Sequence, residues 1–508
     1  MGLRWRIPAV KGGHPEKTVS PKSPRNDFSL SPLGQDRTLC NLLVVRMTPR
    51  KGASVRRPVS WGSRRAALLL AFMTLASACA HFPVNPPLAH WEPRPPGAFS
   101  HAGRSDDTLI LLAFSGGGTR AAAFAYGVLE ELRDTRVLIA GRPRRLLDEV
   151  ELVSGVSGGS FVAAYYGLYG DRIFQDFEQR FLRHNVQRDL ILAMLNPVNW
   201  VRLLSPFYSR SDLAAAYYDR QIFDGATFAD LTHGPGVEVV INATDMVRGS
   251  RFSFRQPVFD ILCADLAPIH IARAVAASAA VPGPLTPVIL QNYAGTCGFE
   301  PPAWIEQARA DREGSRRRLR QAEILHSYLD QKHEYVYLLD GGISDNLGVR
   351  LFLERTTEAG DVHQALEGFG AANARQVLLI AVNAETDPDF SRPDGDPITI
   401  GLLALIRTVT GIQTRSTNFE TIELVRSSFE RWTRELSERR GEPVEFRLVD
   451  LYFDEIPDPA ERSYLRNLPT SLALDDEAVD RLRAAGRELL RNSPGFRDAL
   501  AGMAKPSN

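Results

Sequence analysis

The sequence predicts an α/β fold in which helices cover both faces of a mostly parallel central sheet, with a helical extension at the C-terminal end. Short apolar runs suited to buried strands alternate with helical patterns, and two of these runs lead through Gly-rich turns directly into helices. Of the 508 residues, 44% are hydrophobic and 24% charged, which allows a sizeable core. Near-average Gly and Pro usage and only four cysteines exclude wholesale disorder, a collagen repeat and a disulfide miniprotein.

The predicted elements follow one another along the middle of the chain. Residues 108–114 form an apolar run typical of a buried strand, 115–118 a turn, and 119–133 a stretch with helical spacing. A second strand, turn and helix are predicted at 149–153, 154–159 and 160–169, and further strands at 237–243, 335–339 and 377–382. Ligands of such sheets bind at the carboxyl ends of the strands, so chemistry is expected in the turns that follow them.

Charge is distributed unevenly although the formal net charge is zero. The first 78 residues carry fourteen Lys and Arg against three Asp and Glu, whereas the remainder carries 46 against 57. The folded part is therefore acidic, and nothing in it indicates a basic face for nucleic acid.

The basic N-terminal part has the pattern of an export signal. Four arginines precede the apolar run 66–76: Arg56, Arg57, Arg64 and Arg65. This run of eleven residues is far shorter than the roughly 20 that a membrane-spanning helix needs. A positive region, a short apolar run and small residues before a cleavage point predict a signal peptide over 47–78.

Cys79 follows Ala-Ser-Ala, so the segment resembles a bacterial lipoprotein signal, whose cleavage leaves a lipidated N-terminal cysteine. Ala76 departs from that pattern, in which Leu is more common, and an ordinary signal peptide with an incidental cysteine is the alternative. Residues 1–46 fit neither, so we expect them to be either an upstream extension or the result of a wrongly assigned start, with Met47 as the natural start of translation. The protein is then expected to be exported and membrane-anchored as a lipoprotein, facing the periplasm or on the outer membrane.

Three further segments are expected after the signal. Six prolines between residues 81 and 96 predict an extended, Pro-rich tether over 79–107, which would hold the folded part off a membrane surface. The main folded domain is predicted over 108–390. Residues 391–508 are predicted to be a mainly helical, charged C-terminal region without identifiable chemistry.

The first motif with chemical potential is Ser115-Gly-Gly-Gly-Thr-Arg120. Three consecutive glycines at a helix N-terminus expose backbone N–H groups, and the helix dipole favours an anion there, either a phosphate or an oxyanion. The loop also matches the dinucleotide fingerprint, but no acidic residue ends the second strand, so a nucleotide site is a weak alternative. A purely structural tight turn is another.

The second motif, Gly155-Val-Ser-Gly-Gly159, matches G-x-S-x-G. Between a strand and a helix this pattern predicts a nucleophile elbow that lifts the Ser157 hydroxyl above the sheet. A serine nucleophile needs a base, and His363 is the only histidine after the last strong acidic candidate. His363 lies in a polar stretch typical of a solvated helix. Asp340, which ends a predicted strand before two glycines, is the other candidate, although such an aspartate is also typical of a turn or helix cap.

Four motifs in this order resemble the patatin-like phospholipase family, whose members hydrolyse lipid acyl esters with a Ser-Asp dyad. Three of them are the segments at 115–120, 155–159 and 340–342. The fourth is Ala-Ser-x-Ala-x-Pro at 277–282, which the resemblance places near the active site. The resemblance spans roughly residues 108–353, under half of the chain. Gly348 is a departure, since family members often have Pro there.

The resemblance implies a patatin-like three-layer α/β/α fold, an acyl-enzyme intermediate, and no metal or cofactor. Ser157 would be the nucleophile and Asp340 the acceptor of its proton. The remaining implied roles are an oxyanion hole of the N–H groups of Gly116, Gly117 and Gly118, and neutralisation of charge near the loop by Arg120. An ordinary aspartate, with a pKa of about 3.9, is a weak base for a hydroxyl, so we expect a water-poor site that raises the pKa of Asp340.

The expected substrates are membrane glycerophospholipids or lysophospholipids, reached from the membrane surface. The apolar stretch 401–412 is either a membrane-facing lip or a core helix. Cys263 and Cys297 could pair in an exported domain, or remain two free thiols. Two other functions stay open: an α/β-hydrolase-type esterase with a Ser-His-Asp triad, and a non-catalytic lipid-binding lipoprotein.

Overall fold

The computed structural model describes residues 85–93, 103–139, 141–205, 207–330, 332–386 and 402–504, without the side chains of 402–413. These residues belong to one compact unit that extends over residues 71–508. The predicted upstream stretch, the signal peptide and Cys79 lie outside the described residues. So do the side chains of the expected membrane lip.

The centre of the fold is an eight-stranded sheet. Its strands occur in the order β10-β9-β1-β4-β5-β8-β7, with β6 paired to β5, and a separate hairpin is formed by β2 and β3. From β10 to β5 neighbouring strands are parallel, whereas β6, β8 and β7 pair antiparallel. The strands are β1 (Thr108–Phe114), β2 (Arg136–Ile139), β3 (Arg142–Arg145), β4 (Val150–Val156), β5 (Glu238–Asp245), β6 (Ser250–Phe254), β7 (Val288–Gln291), β8 (Tyr335–Asp340), β9 (Gln376–Asn383) and β10 (Glu445–Tyr452).

Helices cover both faces of this sheet. They are α1 (Thr119–Asp134), α2 (Gly158–Tyr169), α3 (Ile173–Phe177), α4 (Val186–Leu195), α5 (Pro197–Leu203), α6 (Arg210–Gln221), α7 (Gln256–Ile261), α8 (Ile271–Ser278), α9 (Ala303–Ala310), α10 (Arg316–Tyr328), α11 (Gly342–Asp345), α12 (Arg350–Ala359), α13 (Val362–Gly368), α14 (Leu402–Arg440), α15 (Pro459–Arg466), α16 (Asp476–Asn492) and α17 (Pro494–Met503).

Strand β1 shows how the three layers form. Its side chains alternate between the two faces of the pleated strand. Ile110, Leu112 and Phe114 pack in one apolar cluster with α1, α2 and α16, while Leu109 and Leu111 pack in a second cluster with α12 and α14. The whole strand is buried, as expected for a parallel strand covered on both faces. The predicted fold class is therefore confirmed.

The C-terminal region is mainly helical among the described residues, as expected, but it also supplies the edge strand β10. This strand pairs in parallel with β9 over Glu445–Tyr452. Polar residues such as Arg447 and Asp450 interrupt its apolar pattern, which is why the sequence did not indicate a strand. The sheet thus runs across the expected boundary at residue 390.

The expected tether is docked to the domain over residues 85–93. Asn85 exchanges hydrogen bonds with the backbone of Gln291, its side chain accepting at 2.6 Å and donating at 3.0 Å. Leu88 and Trp91 donate to the carbonyls of Cys263 and Cys297, and these two cysteines form a disulfide. In this stretch the backbone has no helix, as expected of the tether, and it finds hydrogen-bond partners along the domain surface. No helix among the described residues is long and apolar enough to cross a membrane.

Candidate active site

The serine turn lies between β4 and α2. Ser157 has φ 47° and ψ −117°, a left-handed backbone conformation that is rare for a residue with a Cβ. A Cβ on Gly158 would lie 2.0 Å from the carbonyl oxygen of Gly118, and one on Gly159 would lie 2.5 Å from that of Phe114. Only glycine fits where the two loops approach so closely. The turn therefore has the geometry expected of a nucleophile elbow.

Asp340 reaches Ser157 from a strand of opposite direction. Val156 is level with Asn242 of β5, and the next residue of β5, Ala243, is level with Asp340. Strand β8 is antiparallel to β5 and ends alongside the part of β5 that extends beyond β4, so Asp340 lies at the same edge of the sheet as Ser157. The Ser157 hydroxyl oxygen lies 2.9 Å from the Asp340 Oδ2 atom and donates to it.

Burial raises the pKa of the Asp340 carboxyl to about 6. Two hydrogen bonds oppose that shift: the Gly342 N–H donates to Oδ1 at 2.8 Å, and the Ser157 hydroxyl donates to Oδ2. The pKa of this carboxyl thus lies well above its ordinary value of 3.8, as a proton acceptor near neutral pH requires.

The Gly-rich loop meets the serine turn from the side of β1. The amides of Gly117 and Gly118 have no hydrogen-bond partner among the described residues, and both residues have positive φ. The Gly116 amide instead donates to the carbonyl of Asn346 at 3.0 Å. The expectation that all three N–H groups are available is therefore wrong for Gly116 in this structure, and two remain free to bind an oxyanion.

Arg120 has a different place from the one we expected. Its buried guanidinium donates to the carbonyls of Ala384 at 2.9 Å and Leu468 at 2.6 Å, and to the Thr470 hydroxyl at 3.1 Å. Burial lowers its pKa to about 10, although nearby Glu385 opposes the shift. Each of its three nitrogens donates one hydrogen bond to the protein, so Arg120 ties the loop to the C-terminal region, and neutralisation of an anion stays a prediction.

Two positioning groups were missed at the level of the sequence. The Ser278 hydroxyl accepts the Ser157 N–H at 2.8 Å and donates to the Asn242 carbonyl at 2.6 Å, so it fixes the strained turn to β5. Residues Leu468 to Ser471 clamp the Gly-rich loop, with Thr119 donating to the Ser471 carbonyl at 2.8 Å. Ser278 belongs to the Ala-Ser-x-Ala-x-Pro segment, which the resemblance placed near the active site without giving this serine a role. Nothing in the sequence indicated that residues 468–471 contact the Gly-rich loop.

The histidine alternative finds no support in the geometry. His363 lies on α13, where its Nε2 atom is 3.4 Å from the Glu367 carboxylate. The hydrogen bonds of the Asp340 carboxylate go to the Ser157 hydroxyl and the Gly342 amide, and no histidine of the described residues contacts it. A Ser-His-Asp arrangement is therefore not formed around Ser157 in this part of the chain.

A family model described as Patatin-like phospholipase matches residues 112–353, slightly under half of the chain. This span contains the serine turn, the Gly-rich loop and Asp340. Residues 112–353 are therefore a patatin-like phospholipase domain, and the resemblance expected from the motifs is confirmed.

Among solved structures, two of human GIVD cytosolic phospholipase A2 are similar to the chain. The complex with methyl gamma-linolenyl fluorophosphonate inhibitor and terbium chloride has a TM-score of 0.37, and another structure of that protein has 0.32. Each is 12% identical and covers 78% of this chain. The chain spans 60% of the phospholipase's length. No functionally curated protein matches the chain.

Proposed function

We propose that the protein is a serine lipid acyl hydrolase of the phospholipase A or lysophospholipase type, which works through a Ser157–Asp340 dyad. The observation that carries this proposal is the 2.9 Å hydrogen bond from a serine in a strained elbow to a buried carboxylate. In the first step the Ser157 oxygen attacks the acyl carbonyl carbon while its proton passes to Asp340. The proton then moves to the departing alcohol oxygen, which leaves an acyl-enzyme ester.

A water molecule completes the cycle. It attacks the acyl carbon, gives a proton to Asp340, and releases the fatty acid together with the Ser157 hydroxyl. In both steps negative charge develops on the acyl oxygen, and in this proposal the N–H groups of Gly117 and Gly118 receive it; their lack of a hydrogen-bond partner among the described residues supports this role. The raised pKa of Asp340 supports this role, because a stronger base accepts the serine proton more readily.

The proposed substrates are membrane phospholipids, and we further propose that the protein meets them as an exported lipoprotein anchored through Cys79. The apolar run, the small residues and the cysteine that support this placement lie in the sequence before the described residues. Mass spectrometry of the mature N-terminus tests it: a diacylated peptide beginning at Cys79 is expected, and an unmodified peptide that spans Ala78 and Cys79 would contradict it.

The dyad is tested by acyl release from mixed phospholipid vesicles and from a soluble p-nitrophenyl ester. We expect Ser157→Ala and Asp340→Asn each to lower the rate on both substrates by roughly a thousandfold or more. The two residues act together in the proposed dyad, and each variant removes one of them. Two variants serve as controls. Asp450→Asn changes another aspartate, whose pKa is raised to about 7 by burial. His363→Ala removes the alternative base.

The pattern across the four variants decides between mechanisms. Loss in the first two with activity kept in both controls supports the dyad. Loss in His363→Ala with activity kept in Asp340→Asn would favour a Ser-His-Asp triad. Wild-type protein that turns over neither substrate would overturn the proposal.

A further inference from the structure

A helical hairpin on the surface of the domain exposes an unusual number of large apolar side chains. We define this hairpin as α4, α5 and the following residues to Phe207. Of the fourteen large apolar side chains that the described residues expose, eight lie in it: Ile191, Leu192, Leu195, Val198, Trp200, Val201, Leu204 and Phe207. Such a concentration in one element marks an interaction surface rather than ordinary scatter.

The core of the domain does not account for these residues. Helix α4 already has an inward stripe at helical spacing, with Val186 and Leu190 buried and Met194 packed against the main apolar cluster. Its other apolar residues form a second face that is turned outward. Helix α5 has no buried residue at all. The fold of the described residues therefore leaves the outer apolar side chains of the hairpin exposed.

The charges of the hairpin favour an anionic partner. The hairpin contains Arg188, Asp189 and Arg202, and Arg210 begins α6 shortly after it. The Asp189 carboxylate accepts the Tyr217 hydroxyl at 3.0 Å and lies 2.7 Å from His184 Nε2, so the domain itself engages the only acidic group of the hairpin. The Arg202 guanidinium lies over the Tyr208 ring, 4.2 Å from its centre, so this cation stays beside the apolar face. Exposed Trp200 adds an amphipathic ring of the kind that is enriched at membrane interfaces.

The turn between the two helices satisfies its own backbone groups. The Asn196 side chain accepts the Val198 N–H at 3.0 Å. The Asn199 amide donates to the Ala193 carbonyl at 2.8 Å, and the Trp200 indole donates to the Met194 carbonyl at 3.0 Å. A helix end whose backbone carbonyls are already hydrogen-bonded costs less free energy to transfer from water into a membrane interface.

Both ends of the hairpin are fixed to segments that form the candidate active site. At the start of α4 the Gln187 N–H donates to the Leu472 carbonyl, next to the residues that clamp the Gly-rich loop. After the hairpin, Asp212 of α6 pairs with Arg273 of α8, at 2.9 Å. Helix α8 ends at Ser278, which holds the Ser157 amide. Both ends of the hairpin are thus attached to elements that hold the candidate active site.

We propose that this hairpin docks the domain on an anionic lipid bilayer. Helix α5 and the outer face of α4 lie in the interfacial layer, with Arg202 and Arg210 at the headgroups, and the candidate active site is brought to the lipid surface. The purpose assigned to this docking rests on the proposed function, whereas the docking itself is separable from catalysis and is tested without it.

The test uses the full chain with Ser157→Ala, so that no lipid is consumed. Vesicles contain brominated phosphatidylcholine, which quenches tryptophan fluorescence on contact, and about one third phosphatidylglycerol to supply anionic charge. Comparison with the same chain carrying Trp200→Phe isolates the emission of Trp200. This readout reports on the hairpin even where another part of the chain also binds the membrane.

We expect Trp200 to be quenched by the vesicles. A Leu195→Ser, Val198→Ser, Leu204→Ser triple variant should lose that quenching and bind vesicles at least tenfold more weakly. The matched control replaces three exposed apolar residues elsewhere, Leu138→Ser, Met246→Ser and Val247→Ser, and should behave as the parent.

Three results would overturn the proposal. Trp200 could remain unquenched, the two triple variants could bind vesicles equally, or the hairpin variant could dissociate a dimer that forms without lipid, which would make the surface an interface between two copies. Activity of the chain with Ser157 intact gives a separate readout. The hairpin variant should lose vesicle hydrolysis and keep hydrolysis of the p-nitrophenyl ester within twofold, whereas inactivity of the wild type on both substrates would refute the proposed function and leave the quenching result valid.

Discussion

The serine corner, by which we mean the serine turn, the Gly-rich loop and Asp340, is buried and tightly packed, whereas the helical hairpin is exposed. At the corner, Ser157 and Asp340 are buried, their hydrogen-bonding groups are paired with the protein, and glycine is the only residue that fits between the loops. On the hairpin, large apolar side chains face outward and α5 buries nothing. In the proposed function, the chemistry depends on a tightly packed site, whereas the proposed lipid contact depends on apolar surface that the fold does not bury.

The strongest way to test this contrast is to add one methyl group at the corner. In Gly158→Ala the new Cβ would lie 2.0 Å from the Gly118 carbonyl oxygen, so the serine turn and the Gly-rich loop must separate. We expect a loss of esterase activity of more than about a hundredfold, since a misplacement of about 1 Å is enough to cost that much. Stability should fall by roughly 1–3 kcal/mol, as in other overpacked cores, measured by urea unfolding.

Gly368→Ala is the matched control, because a Cβ there meets nothing within 4 Å and the residue does not have positive φ. It should keep both activity and stability. If Gly158→Ala were as active as Gly368→Ala, the corner would be more adaptable than the geometry indicates.

A smaller effect is expected from pH, and it should separate the two regions. Asp340 accepts a proton only when ionised, so esterase activity should be half-maximal near pH 6 and fall about tenfold for each further unit of acidification. The hairpin's one acidic residue, Asp189, has its pKa lowered by its hydrogen bond with His184, so it stays ionised over this range, and the lipid contact of the hairpin should change far less. The measurements are kcat/KM on the p-nitrophenyl ester and Trp200 quenching.

The raised pKa of Asp340 also makes the stability of the folded protein depend on pH. Because it is raised from 3.8 to about 6, the contribution of Asp340 to stability is complete below pH 3.8 and is lost as the pH rises through about 6. Activity and this contribution therefore change in opposite directions. Activity that stays constant down to pH 5 would show that Asp340 is not the group that titrates.

What could be predicted from the sequence depended on how local the signal was. Strand β1 was predicted with its observed bounds, and the serine turn was found because a strand, glycines and a helix follow one another directly. The direction of β8 could not be read, since a short apolar run looks the same in either orientation. The partners of Arg120 lie about 260 to 350 residues away, and contacts of that separation leave no pattern along the chain.

Two leucines near each other in the chain, one exposed and one buried, allow the hairpin's outer and inner faces to be compared. Leu204 is 85% exposed, so Leu204→Ser removes little buried surface and should change the free energy of unfolding by no more than about 0.5 kcal/mol. Leu190, on the inward face of α4, is buried, and Leu190→Ser should cost roughly 2–5 kcal/mol for the lost packing. Urea unfolding of the two variants without lipid compares them directly. Equal destabilisation would mean that the hairpin's outer residues support the fold, in which case their exposure would need no lipid partner to explain it.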